Sequence, residues 1–141
     1  MRPTAFLSYS HADQDRVRVL ASALEQAGID VWWDTLIEGG AVFAKSVEVA
    51  LARCDAVIVA WHVKPGQRIS AHVHPEGQDT WTIISGRGEY QVAATGESTP
   101  IVSGDVVVAH RGEVHGVYNN GSEPLVFVSV VSPAASGFEP L

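Results

Sequence analysis

Histidine and glycine are divided unequally along this chain, and the division limits what it can fold into. Five of the six histidines lie between His62 and His115, and ten of the thirteen glycines follow residue 60. Short alternating runs broken by glycine make hairpins. Apolar residues at 3.6-residue spacing with few glycines make helices. The back of the chain therefore reads as all-β and the front as mixed. A length of 141 residues leaves room for about one domain of ordinary size, or for one domain plus a fragment.

The front reads β-α-β. Thr4 to Ser8 is a short apolar strand. Asp13 or Asp15 is placed to cap a helix in which Val17, Leu20, Ala21, Leu24 and Ala27 share one face. Gly28 stands where a helix ends. Ile29 to Trp33 is a second strand, and Asp34 to Gly40 a loop. The next segment fits two templates. As a helix, Phe43, Val47, Ala50, Leu51 and Cys54 form one stripe; as a strand, Val47, Val49 and Leu51 alternate with Glu48, Ala50 and Ala52. The preceding strand-helix alternation favours a helix over residues 43–54. The back half offers strands at Ala56 to Val63, Ala71 to His74, Thr80 to Ser85, Gly88 to Ala93, Asp105 to Ala109, Gly116 to Tyr118 and Leu125 to Val131. Asn119-Asn120-Gly121-Ser122 is a hairpin turn, since Asn-Gly tolerates positive φ.

Composition removes several functional classes. Nine Lys and Arg against sixteen Asp and Glu give a net charge of −7, so no basic face is available for nucleic acid. The longest apolar run, Ala56 to Trp61, is far short of the roughly 20 residues needed to span a bilayer. The first ten residues lack the apolar stretch and small-residue cleavage site of a signal peptide. Cys54 has no second cysteine to pair with, which suits a reducing compartment. The expectation is a cytoplasmic protein without membrane or nucleic-acid partners.

The chemistry concentrates in the histidines. Residues i and i+2 of a strand face the same way, so His72 and His74 point together, and His115 from a distant strand can close a facial set. Three neutral imidazoles suit a divalent transition metal (Fe, Mn, Zn, Ni or Cu) and leave positions open for water or a small-molecule ligand. His62 and His110 read as packing or solvent-facing residues. Trp81, Ile83, Val107 and Phe127 read as barrel lining or core, and Arg87 and Arg111 as solvated residues at turns.

Two blocks have a recognisable spacing. One is Gly66, five residues, His72-Val73-His74, four residues, Asp79, six residues, Gly86. The other is Gly104, five residues, His110-Arg111-Gly112, two residues, His115, three residues, Asn119. Together they resemble the two motifs of the cupin family, over residues 62–141 and back to about Ala41 if the middle segment is β. The resemblance implies an antiparallel jelly-roll barrel holding one metal on His72, His74 and His115. It implies a fourth ligand at the position of Asp79, where cupins usually carry Glu. Because aspartate is one methylene shorter, Gln78 is the alternative. Dioxygenase and isomerase chemistry are both compatible with that family, as is a non-catalytic ligand-binding or sensor module.

The front resembles a different family. Ala5-Phe6-Leu7-Ser8-Tyr9-Ser10, Gly28-Ile29-Asp30-Val31-Trp32-Trp33-Asp34, Ile37-Glu38-Gly39-Gly40 and Cys54-Asp55-Ala56-Val57-Ile58-Val59 are similar, in series, to the first half of a bacterial Toll/interleukin-1 receptor (TIR) domain. Some members of that family hydrolyse NAD with a Glu set in a helix beside Ser-x-Trp. Glu76 falls at about the right distance here, but Pro75 and Gly77 flank it and the Ser-x-Trp context is missing, so NAD hydrolysis is not expected. The whole reads as an α+β chain: a truncated TIR-like βαβ(αβ) fragment over 1–60, joined to a cupin barrel over 61–141. Strand edges left open by the truncation are where a homodimer is expected to form.

Overall fold

The computed structural model describes residues 1–33 and 49–141. The elements are β1 (Thr4–Ser8), a 3-10 turn at His11–Asp13, α1 (Gln14–Gln26), β2 (Asp30–Trp32), β3 (Ala56–Val63), β4 (Arg68–Val73), β5 (Gln78–Ser85), β6 (Arg87–Gln91), β7 (Ser98–Val102), β8 (Val106–Ala109), β9 (His115–Tyr118), β10 (Leu125–Ser132) and β11 (Glu139–Pro140). Residues 49–53 are helical, in line with the helix expected over 43–54. Cys54 follows the helix, and residues 43–48 of that expectation, the loop at Asp34 to Gly40 and a barrel start near Ala41 fall outside the described residues.

Six strands form one sheet in the order β2-β1-β3-β10-β5-β8, and five form another in the order β11-β4-β9-β6-β7. β1 runs parallel to both β2 and β3, which is the α/β pattern expected of the front. β3 is then antiparallel to β10, with Leu125 opposite Val63 and Val131 opposite Val57. A single strand thus closes the parallel layer on one edge and opens the antiparallel barrel on the other.

Two cores follow from this arrangement. Helix α1 turns Val17 and Ala21 onto Ala5, Leu7 and Ile58, with Ala60 and Val128 packed at the border. Asp13 occupies the N-cap position without a capping bond, and Gly28 ends the helix at φ +88°. Phe6 stacks on Trp32 at 4.8 Å between ring centroids, and Trp33 packs against the cluster under α1, so the front aromatics are packing residues. The barrel core joins Trp81, Ile83, Leu125 and Phe127 of the larger sheet to Tyr90, Ile101 and Val117 of the smaller. Gly86 makes the tight β5–β6 connection. Its φ is +85°, and a Cβ there would lie 2.4 Å from the Pro124 carbonyl oxygen.

Two strands depart from the reading of the sequence. β7 contains Pro100, and β11 is two residues long and ends in Pro140. Both lie at edges of the smaller sheet, where a missing N–H costs no ladder bond. β4 also begins earlier than expected, at Arg68, with a register irregularity between Ile69 and His72.

The junction is pinned by polar groups. The amide and the hydroxyl of Thr4 lie 2.8 and 3.0 Å from Asp55 Oδ2, and the Asp55 amide donates to the Thr4 carbonyl at 2.9 Å. These hydrogen bonds, the amide's first, hold the Asp55 carboxyl below its ordinary value. A depressed folded pKa stabilises the fold above the unfolded pKa, and the effect is lost as pH falls through the folded value. Asp55→Asn should therefore lower the thermal midpoint at pH 7. The gap to the parent should close as the solution is acidified below about pH 4, and thermal melts across that range measure it. A gap independent of pH would mean that the charge has no part in the junction.

Candidate metal centre

Strand pairing delivers the candidate ligands to one place. His72, near the end of β4, is directly opposite His115, the first residue of β9, and their ring centroids are 4.2 Å apart. His74 lies just past β4, with its ring 5.2 Å from each of the other two. Asp79 is the second residue of β5 and faces inward. All four residues are buried, and their ligating atoms lie within 4.8 Å of one another.

Backbone carbonyls orient the three rings. The Nδ1 atoms of His72, His74 and His115 lie 2.8, 2.7 and 3.1 Å from the carbonyl oxygens of Ser70, Gly137 and Glu113. A carbonyl only accepts, so each Nδ1 carries the proton and donates it. A neutral ring so placed offers its Nε2 lone pair to a metal, as oriented metal-binding histidines do; without a metal, a proton on Nε2 is what meets Asp79. His115 Nε2 is 3.0 Å and His74 Nε2 3.5 Å from Asp79 Oδ2.

Asp79 is held as an anion. Burial would raise its pKa. Interactions from His115, His74, the Ser129 hydroxyl and the Trp81 ring outweigh burial and keep the carboxyl well below the usual carboxylate range. Ser129 Oγ donates to Oδ1 at 2.6 Å, so only Oδ2 is left to the histidines. Trp81 Nε1 is buried without a hydrogen-bond partner, and its influence on Asp79 is that of a nearby dipole. Burial lowers the pKa of His72, while the Asp79 carboxylate raises that of His74.

The donor set fits a cation. Three Nε2 lone pairs and a carboxylate oxygen are all acceptors turned toward one point, and one metal ion satisfies them together. Aspartate reaches this point despite its shorter arm. Gln78 does not: it is the exposed neighbour on β5, and its side-chain amide is directed at the Thr80 hydroxyl, 3.5 Å away. Strand alternation forces that outcome, since adjacent residues face opposite sides. His62 and His110 are exposed, as expected. Arg111 is taken up by Glu76 and the Pro75 carbonyl at the surface, and Glu76 lies in the turn after β4.

Two contributions escape the reading of the sequence. Ser129 is a polar residue at the same inward parity as Leu125, Phe127 and Val131, and that misfit was the available clue. The tail over Ser136 to Phe138 has no periodicity to reveal it.

Known proteins place this geometry. Residues 59–131 match the cupin domain family, and residues 5–91 match the TIR domain family. The TIR match runs past β3 into β4, β5 and β6, which here are barrel strands. Among curated proteins, an oxalate-binding protein of Thermotoga maritima is 31% identical over 67 residues, 48% of this chain and 54% of that protein. A germin-like protein of Oryza sativa is 28% identical over 100 residues, 67% of this chain and 44% of that protein. The chain spans about half the length of the curated relatives it matches. Among solved structures, an uncharacterized Klebsiella pneumoniae protein with a double-stranded β-helix domain is 52% identical with a TM-score of 0.59, covering 61% of this chain and 74% of that one. The Bacillus subtilis oxalate decarboxylase, a protein with Mn(II) centres, is 29% identical with a TM-score of 0.51, covering 58% of this chain and 22% of that one. The chain belongs to the cupin domain family, and ahead of its barrel it carries a segment of the TIR domain family.

Proposed function

We propose that this chain is a one-metal cupin that receives a small organic acid at its centre, with His72, His74 and His115 as neutral ligands and Asp79 as the anionic one. The observation that carries the reading is the set of four inward acceptors, each oriented by a partner outside the set. The names of the relatives, an oxalate-binding protein and an oxalate decarboxylase, point to a small carboxylate as the ligand. A bound divalent metal would supply Lewis acidity and open positions for such a ligand. The protein's own residues hold the rings in one tautomer, keep Asp79 ionised and line the interior with Trp81, Phe127 and Ile83, which exclude water.

Binding without turnover is the form we favour over a dioxygenase or an isomerase. Among the described residues, the buried titratable neighbour of the candidate ligands is Tyr90. Burial, then the charges of Asp79 and Glu113, push its hydroxyl well above the ordinary range, so it stays a neutral phenol and does not give up its proton to become a base. A TIR-type NAD hydrolase is disfavoured, because Glu76 is held at the surface by Arg111 rather than in a helix. We propose a homodimer as well: β2 and β8 end the larger sheet among the described residues, and sedimentation measures whether a second copy adds there.

Purified protein should contain about one transition metal per chain by elemental analysis, as a three-His, one-carboxylate site requires. The His72→Ala, His115→Ala double variant should contain none, and unchanged metal content in that variant would remove the site. Calorimetry should detect oxalate binding to the Mn(II)-loaded parent and not to the double variant. Ser129→Ala should keep the stoichiometry but weaken Mn(II) affinity about 10–100-fold, as loss of a carboxylate's supporting donor does. Incubation with NAD should release no nicotinamide, and release dependent on Glu76 would restore the TIR reading.

A further inference from the structure

After β10 the chain returns to the edge of the smaller sheet, beside β4. The Ser136 carbonyl accepts from the Glu76 amide at 2.9 Å, and the Leu141 amide donates to the Ala71 carbonyl at 3.1 Å. Between them β11 pairs with β4, placing Glu139 opposite Val73 and Pro140 opposite His72. The approach is close enough to require Gly77, where a Cβ would lie 2.3 Å from the Ser136 Cβ.

This tail touches the histidines themselves. Gly137 supplies the carbonyl that receives the His74 Nδ1 proton at 2.7 Å, the shortest of the three ring-to-backbone bonds. Ser136 Oγ is 3.5 Å from the same nitrogen. The Phe138 ring lies 4.8 Å from the His72 ring and 6.1 Å from the His74 ring, centroid to centroid. Phe138 itself is 61% exposed while His72 is 5% exposed, so the phenyl ring stands between the imidazole and solvent. The carbonyls that orient His72 and His115 lie two residues from their own rings. The one that orients His74 comes from 63 residues away. His74 is thus the ligand whose orientation depends on a separate segment being docked.

We propose that residues 136–138 are a working part of the metal centre, with Gly137 as the positioning residue for His74 and Phe138 as the roof over His72. The proposal rests on the metal reading given above. With the tail in place, His74 Nε2 is aimed at the site before metal arrives. Without it, the ring is free to rotate and to exchange tautomers, and the centre falls from four oriented donors to three.

Mn(II) titration followed by the electron paramagnetic resonance of the free ion tests this on four chains: the parent, Gly137→Ala, Phe138→Ala and a chain ending at Ala135. Gly137 has φ +74°, and an added Cβ would meet Pro75 Cδ at 3.3 Å, so alanine there displaces the carbonyl without removing a ligand. Gly137→Ala and the shortened chain should bind Mn(II) about 10–100-fold more weakly than the parent, the usual cost of losing a ligand's outer partner. Phe138→Ala should hold Mn(II) but raise the water-proton relaxation rate of the bound ion, because its roof is gone. If the shortened chain does not fold, Gly137→Ala decides alone. Parent-like affinity in Gly137→Ala overturns the positioning role. A lowered melting temperature of the metal-free variant with unchanged affinity also overturns it and marks the tail as merely structural. A parent that binds no Mn(II), Co(II) or Zn(II) overturns the metal reading itself, a result distinct from any difference between parent and variants.

Discussion

Strand β10 is the member on which both halves of this protein hang. It is hydrogen-bonded along one edge to β3 and along the other to β5, so its backbone has few open groups to satisfy. Its inward side chains, Leu125, Phe127 and Val131, fill the barrel, and Ser129 among them reaches the carboxylate of Asp79. Its outward Val128 packs at the border of the cluster under α1. One strand therefore supports the barrel core, the anionic ligand candidate and the seam with the α/β layer. A large side chain fully buried in such a strand stabilises by about 1.5–3 kcal/mol. The Ser129 hydroxyl is accommodated there because its partner is charged and equally buried.

The centre itself is an electrostatic compromise. Four acceptors converge in a buried space, and acceptors repel until a proton or a cation comes between them. The opposed pKa shifts of neighbouring rings express this: burial acts on His72, while the carboxylate acts on His74. The outer partners matter more than the ligands' identity alone suggests. They decide which nitrogen faces the site, and two of the three rings obtain that direction locally, His72 from its own strand and His115 from the turn just ahead of β9.

How much of this was legible in the sequence follows from which physical rules act locally. The apolar run of β3 and the 3.6-residue stripe of Val17 and Ala21 are local, and both elements appear where those patterns put them. The i, i+2 pair of His72 and His74 is local too, and the distant His115 was legible only through its family spacing. The choice between Gln78 and Asp79 needed the parity of β5, which was not decisive until the strand's start was known. β7 and β11 are short and carry proline, so strand propensity argued against them, and their edge positions allow them. The docking of Gly137 on His74 spans 63 residues and leaves no pattern in the sequence at all.

The parity of β3 carries a further consequence. Ile58 faces the helix-side cluster, while Trp61 stacks toward Phe127 and Val63 enters the barrel core. The strand changes allegiance partway along without a break in its alternation. Segments with different packing partners can follow one another inside such a strand with no spacer, provided odd and even positions stay in phase. Gain or loss of a single codon there would turn Val63 outward and leave the barrel with a gap, whereas a two-codon change would preserve the faces. The length of β3 is thus constrained twice, once by the triplet code and once by the pleat.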